Sequence, residues 1–115
     1  METFAQKLEK YAELAVKVGA NVQRGEEVIV KAPVDAAELV RLVTEKAYQA
    51  GAKRVYYNWT DDRLDSLRLN YTSEDVIRDY PVWKAEALTA LVKRGAACID
   101  IRTTGLGMME EVDPP

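Results

Sequence analysis

At 115 residues the chain has one domain's length, and folding buries roughly two thirds of the surface that an unfolded chain of this size exposes. Lys+Arg 16 against Asp+Glu 19 give a net charge of -3, so the positive field that draws nucleic acid or an anionic membrane is missing and neither is an expected partner. No apolar run approaches the roughly 20 residues that span a bilayer, and the opening METFAQKLEKYAELAVKVG spreads charge through its apolar positions, unlike a signal peptide; the expected compartment is the cytoplasm.

One cysteine, Cys98, has no internal partner for a disulfide, in keeping with a reducing compartment. The absence of histidine removes the Ser-His-Asp and Cys-His arrangements and the commonest metal ligand from this chain. Chemistry here falls to carboxylates, Lys, Tyr or another chain.

Thr3 and Gln6 stand at capping-box spacing, and Phe4, Leu8, Tyr11, Ala12, Ala15 and Val18 recur at helical intervals until Gly19, predicting an amphipathic helix. After the turn at Gln23 to Gly25, the run Val28-Ile29-Val30 suits a strand buried on both faces, which Pro33 ends. Asp35 and Glu38 repeat the capping-box spacing ahead of a second helix. Its inner stripe is Ala36, Leu39, Val40, Val43 and Ala47, and Gly51 stands at its C-terminal cap. Arg54 to Asp62, RVYYNWTDD, is a β-prone run that stops at Thr60, so Glu27 to Trp59 reads as a right-handed βαβ unit with parallel strands.

In open α/β sheets ligands gather beyond the carboxyl ends of the strands, which singles out Ala32 to Asp35 and Asn58 to Asp62. Asn58, Trp59, Asp61 and Asp62 are the candidate substrate-face residues on that ground. Asp61 and Asp62 have a second reading as caps of the helix Arg63 to Asn70, where they favour its positive end.

Ser73 caps a short helical piece with Val76 and Ile77, and Pro81 interrupts the chain. Trp83, Ala87, Leu88, Leu91 and Val92 resume helical spacing up to Gly95, so a long crossover carries helices to a third strand, Ala97 to Ile101. Within that strand Cys98 is expected as a small buried hydrophobe and Asp100 near an end or an exposed edge. Of Trp59 and Trp83, at least one is expected to pack rather than to stack on a ligand. Gly105 and Gly107 lack the third glycine of a dinucleotide fingerprint. Asp113-Pro114 looks like the start of a helix, which leads to the expectation that the native chain continues. The acidic pairs Glu26-Glu27, Asp61-Asp62, Glu74-Asp75 and Glu110-Glu111 suit caps and turns, since neighbours on a strand face opposite ways.

QKLEKYAELAVKVGANVQRGEEVIVKAP, AAELVRLVTEKAYQAGAKRVYYNWTDD and VWKAEALTALVKRGAACIDI, followed by a terminal VDP, together resemble the N-terminal part of the thermophilic metallo-aminopeptidase family that includes aminopeptidases T and S. The likeness covers essentially the whole chain and departs from the family pattern at Thr103 to Met109. It implies one α/β domain over residues 1–115. The implied architecture is three-layered, a short mostly parallel sheet with helices on both faces, half of a Rossmann-like or flavodoxin-like fold. It also implies a two-domain enzyme, commonly a homodimer, that removes N-terminal residues from peptide substrates with two divalent metal ions. The metal ligands would lie in the C-terminal domain, so no catalytic or metal residue is assigned here. The competing expectation is a stand-alone flavodoxin-like binding module without catalysis.

Overall fold

In a computed structural model of the chain, residues 2–79 and 81–102 are described. The expectations about Gly105, Gly107, Glu110-Glu111, Asp113-Pro114 and the departure at Thr103 to Met109 lie outside the described residues.

Helix α1, Phe4–Leu14, opens with the capping box: Gln6 N donates to Thr3 Oγ1 at 3.1 Å while Thr3 N donates to Gln6 Oε1 at 2.8 Å. The last turn, Ala15–Gly19, is π-helical, closed by Ala20 N to Ala15 O at 2.8 Å. Leu8, Ala12 and Val16 form its buried line, one residue every fourth. The sequence periodicity places Val18 inside, yet it is exposed and Val16 takes its place. The widened turn changes the helical phase there.

Strands β1 (Glu27–Pro33), β2 (Arg54–Thr60) and β3 (Ala97–Asp100) form a parallel sheet in the order β2-β1-β3. As the centre strand, β1 buries Val28, Ile29 and Val30. Alternation sends Val28, Val30 and Ala32 to one face, where they pack with Val55, Ile99 and helix α2 (Ala37–Gln49) through Leu39, Val40, Val43 and Ala47. The inner stripe expected for α2 is buried throughout. Its start differs from expectation, because a 3₁₀ turn, Val34–Ala36, intervenes after Pro33. Asp35 lies inside that turn, and Ala36 occupies the cap position without a side-chain bond, so the Asp35/Glu38 capping box does not form.

The chain moves from β1 outward to β2 through α2, then returns across β1 to β3. Right-handed crossovers in opposite directions place α2 and the second connection on opposite faces. That second connection holds α3 (Asp62–Tyr71), α4 (Glu74–Arg78) and α5 (Val82–Lys93). Ser73 precedes α4 as expected but makes no side-chain cap bond. Cys98 was expected inside and is exposed: alternation turns it to the face of Ile29, which the crossover covers thinly.

Two contacts fix the amino-terminal edge of the sheet. Gly51, with φ of +100°, caps α2, and its carbonyl accepts Gly25 N at 2.8 Å. A Cβ there would stand 2.9 Å from Arg24 Cγ and 3.0 Å from Arg24 Cα. On the other face Glu27 accepts Tyr56 Oη at 2.8 Å and the Arg94 guanidinium in a fork, Nε to Oε1 at 3.1 Å and Nη2 to Oε2 at 2.9 Å. This ties the segment after α5 to two strands. The Tyr56 hydrogen bond, more than the positive charges of Arg94 and Lys53, holds the Glu27 carboxyl below its ordinary value near 4.5.

Gly51→Ala is expected to cost more than about 1 kcal/mol in urea unfolding, because both the positive φ and the Arg24 contact oppose a side chain. A folded-state pKa held below the unfolded one stabilises the fold above the ordinary carboxyl range, and the contribution vanishes as pH falls through the lowered value. The Glu27→Gln protein should therefore melt below the wild type at pH 7, with the gap closing in acid below the ordinary value near 4.5; a gap independent of pH would assign the loss to packing.

Candidate functional site

The carboxyl ends of β1 and β2 bring the four candidate residues close in sequence but divide them in space. Asn58 pairs in register with Lys31, and Trp59 with Ala32. Successive residues on a strand face opposite ways, so Asn58 shares the Ile29 face while Trp59 lies on the α2 face. Trp59 stacks on Tyr57, with centroids 5.9 Å apart and planes at 17°. The two rings line a recess of about 250 Å³ with Ala37, Val40, Arg41 and Thr44. Thr44 Oγ1 donates to Val40 O at 2.7 Å, so its contact with Tyr57 Oη at 2.9 Å is made with the tyrosine as donor. Trp59 stacks on Tyr57 but is 42% exposed, and Trp83 is more exposed still, so neither tryptophan is buried in the core.

Asp61 is the N-cap of α3: its Oδ1 accepts Arg63 N at 3.0 Å, and its carbonyl accepts Asp65 N at 3.0 Å. This is the capping reading of Asp61. Asp62 follows in the first turn, exposed, where its charge favours the positive end of the helix.

Asn58 differs from the others. Its Oδ1 is shut off from solvent and has no hydrogen-bond partner in the structure. A buried acceptor left without a donor costs about 1–3 kcal/mol. Its register neighbour Lys31 in turn neighbours Asp100, so an amide, an ammonium and a carboxylate form a row across the three strands at their carboxyl ends. Arg102 lies 3.5 Å from Asp100 and adds a second cation. Lys31 was missed in the sequence reading. The signal was available: it interrupts VIVKAP at the position alternation assigns to the face of Ile29, where a buried strand would carry another apolar residue.

This row can hold a polar, extended ligand by hydrogen bonds and charge. It does not suit a two-metal centre. Among the described residues no group of three or more Cys, Asp or Glu side chains converges, the sequence has no histidine, and Asp61 is spent on a helix cap.

The family model of thermophilic metalloproteases (M29) matches residues 4–115. Aminopeptidase 2 of Geobacillus stearothermophilus is 40% identical over 99% of this chain, and aminopeptidase AmpS of Bacillus subtilis (strain 168) is 40% identical over 98%. The solved wild-type AmpT from Thermus thermophilus superposes with a TM-score of 0.82 at 36% identity over 97% of this chain. In each case the chain spans 28% of the relative's length. Fold and matches together define an α/β domain of a metallopeptidase. The chain belongs to the thermophilic metalloprotease (M29) family.

Replacing Asp61 with Ala should raise amide exchange at Arg63 to Asp65, with a loss of about 1 kcal/mol in local stability, whereas Asp61→Asn, an equally good cap, should leave it unchanged. Equal effects of the two variants would point to the charge of Asp61 rather than to its capping bond.

Proposed function

We propose that the chain is the amino-terminal domain of a metal-dependent aminopeptidase that removes N-terminal residues from peptides. Residues 1–115 form one α/β unit, and a pair of divalent metal ions is held by a carboxyl-terminal domain outside this segment. The complete enzyme works in the cytoplasm as a homodimer. The observation that carries the reading is the match to the M29 family over residues 4–115 in a chain that spans only 28% of relatives named aminopeptidases. The lack of histidine and the dispersal of the four candidate residues support a metal site elsewhere. Among the described residues no helix is long and apolar enough to cross a membrane.

The metal pair, when bound, supplies the activated water and polarises the scissile carbonyl. The residues of this chain do other work. The strand ends border the approach of the peptide, where Lys31 and Asp100 present opposite charges on neighbouring strands and Asn58 adjoins Lys31 in register. Asp62 stands exposed at the same edge.

Two measurements test this. The 115-residue chain alone is expected to show no micromolar stoichiometric binding of cobalt or zinc in calorimetry and no hydrolysis of leucine p-nitroanilide; tight metal binding would return the metal site to this segment. In a complete enzyme carrying this chain, Asn58→Ala and Asp62→Ala should raise KM and leave kcat unchanged, as expected for groups that bind the peptide equally in ground and transition states. A change in stability with KM intact would remove them from the substrate face.

A further inference from the structure

The crossover from Asp62 to Lys93 has a composition at odds with its surroundings. Every residue of α3 is exposed, including Leu64 at 64%, Leu67 at 52% and Tyr71 at 83%, which stand three and four residues apart on one side of the helix. A helix shorter than about 12–15 residues is marginal in water on propensity alone, and the 10 residues of α3 bury nothing to hold it. Helix α5 shows the same imbalance. Lys84, Ala85, Leu88 and Leu91 form its partly covered side, while Trp83, Ala87 and Ala90 make a second apolar line that faces outward, with Trp83 73% exposed. A helix apolar on two sides is built to be covered on both.

On the other face α1 and α2 pack with the sheet around a buried core of Val28, Val30, Leu39 and Val43, although Leu14, Val18, Tyr57 and Trp59 stay exposed at its margins. Among the described residues, exposed large apolar side chains are denser in the crossover than elsewhere, none of its helices buries a residue, and β3 pairs with β1 alone. We propose that the crossover α3–α5 is the docking surface for the remainder of the full-length enzyme, which packs onto Leu64, Leu67, Tyr71 and Trp83 and so holds α3 in place. This rests on reading the chain as one domain of a longer aminopeptidase. The occupant follows from the relatives: the segment that keeps this fold in AmpT, with a TM-score of 0.82, is 28% of that chain, so the same surface there is accompanied by a much larger body of polypeptide. A covalently joined partner also docks at high effective concentration without an interface large enough to hold two free chains together. A second copy would instead require this patch to be self-complementary about a two-fold axis.

Hydrogen exchange tests the proposal on the 115-residue chain alone and on the same chain joined to the part of Thermus thermophilus aminopeptidase T that lies outside its matching segment. In the chain alone, amides of residues 62–79 and 82–93 should exchange at least about tenfold faster than those of Ala37–Gln49, and joining should slow them by about tenfold or more with Ala37–Gln49 unchanged. Leu67→Ser and Trp83→Ser should remove that gain in the joined protein and leave the chain alone unaltered, since both side chains are exposed in it. Equal protection of the crossover and α2 in the chain alone overturns the proposal. So does crossover protection that rises with chain concentration alongside dimers in sedimentation, which would make a second copy the occupant. If the joined protein does not fold, the same comparison is read between whole Thermus aminopeptidase T and its own matching segment, with the same two outcomes. A joined protein protected in the crossover yet inactive on leucine p-nitroanilide counts against the aminopeptidase reading and leaves the docking surface standing; an active one with an unprotected crossover does the reverse.

Discussion

Everything in this domain depends on β1 being paired on both sides. A centre strand in a parallel sheet has no local partner: its hydrogen bonds go to β2, 27 residues on in register, and to β3 far later in the chain. It must therefore be apolar on both faces, which Val28, Ile29 and Val30 provide. Its two partners must then be reached by crossovers running in opposite directions, and handedness assigns each to its own face. The core on the α2 side and the thin cover on the other side both follow from that single placement.

The two faces are unequal because the sequence behind them is unequal. On the α2 side, apolar residues recur at helical spacing opposite the β1 residues that alternate toward them, and the result is a closed layer. On the other side, the sheet offers Ile29, Tyr56, Asn58, Lys31, Cys98 and Asp100, and the crossover meets it with the Glu27–Arg94 ion pair and few buried side chains. An ion pair fixes orientation, but with Arg94 well exposed it contributes little cohesion beside a packed apolar layer. The asymmetry explains why Cys98, which reads as a core residue from its neighbours, lies in the open.

Much of the fold was legible in the sequence because the signals were local and strong. The capping box at Thr3, the inner stripe of α2, the glycine after it and the β-prone run ending at Thr60 all stand where pattern places them. What failed was phase and continuity. A π-helical turn moved the buried position from Val18 to Val16, and a 3₁₀ turn after Pro33 took Asp35 out of the cap, since both depend on how a helix end meets the rest of the fold. The candidate site was half legible. The strand ends were identified from topology, but adjacency in sequence joined Asn58 to Trp59, whereas alternation separates them and joins Asn58 to Lys31 and Asp100 on other strands. Register between distant strands cannot be read from one strand's residues.

The chemistry of the strand ends also bears on how labour is divided in a family defined by metal-dependent hydrolysis. A metal centre needs donors held converging within a few ångströms, and strand alternation with a capped helix start disperses the carboxylates here instead. The same alternation sets Asn58, Lys31 and Asp100 side by side across three strands, a polar row where a strand buried on both faces would carry apolar residues. The unpartnered Oδ1 of Asn58 is the clearest mark of that arrangement. An acceptor shut off from water and left unpaired is unfavourable within the domain, which sets this row apart from the fully apolar layer on the α2 side.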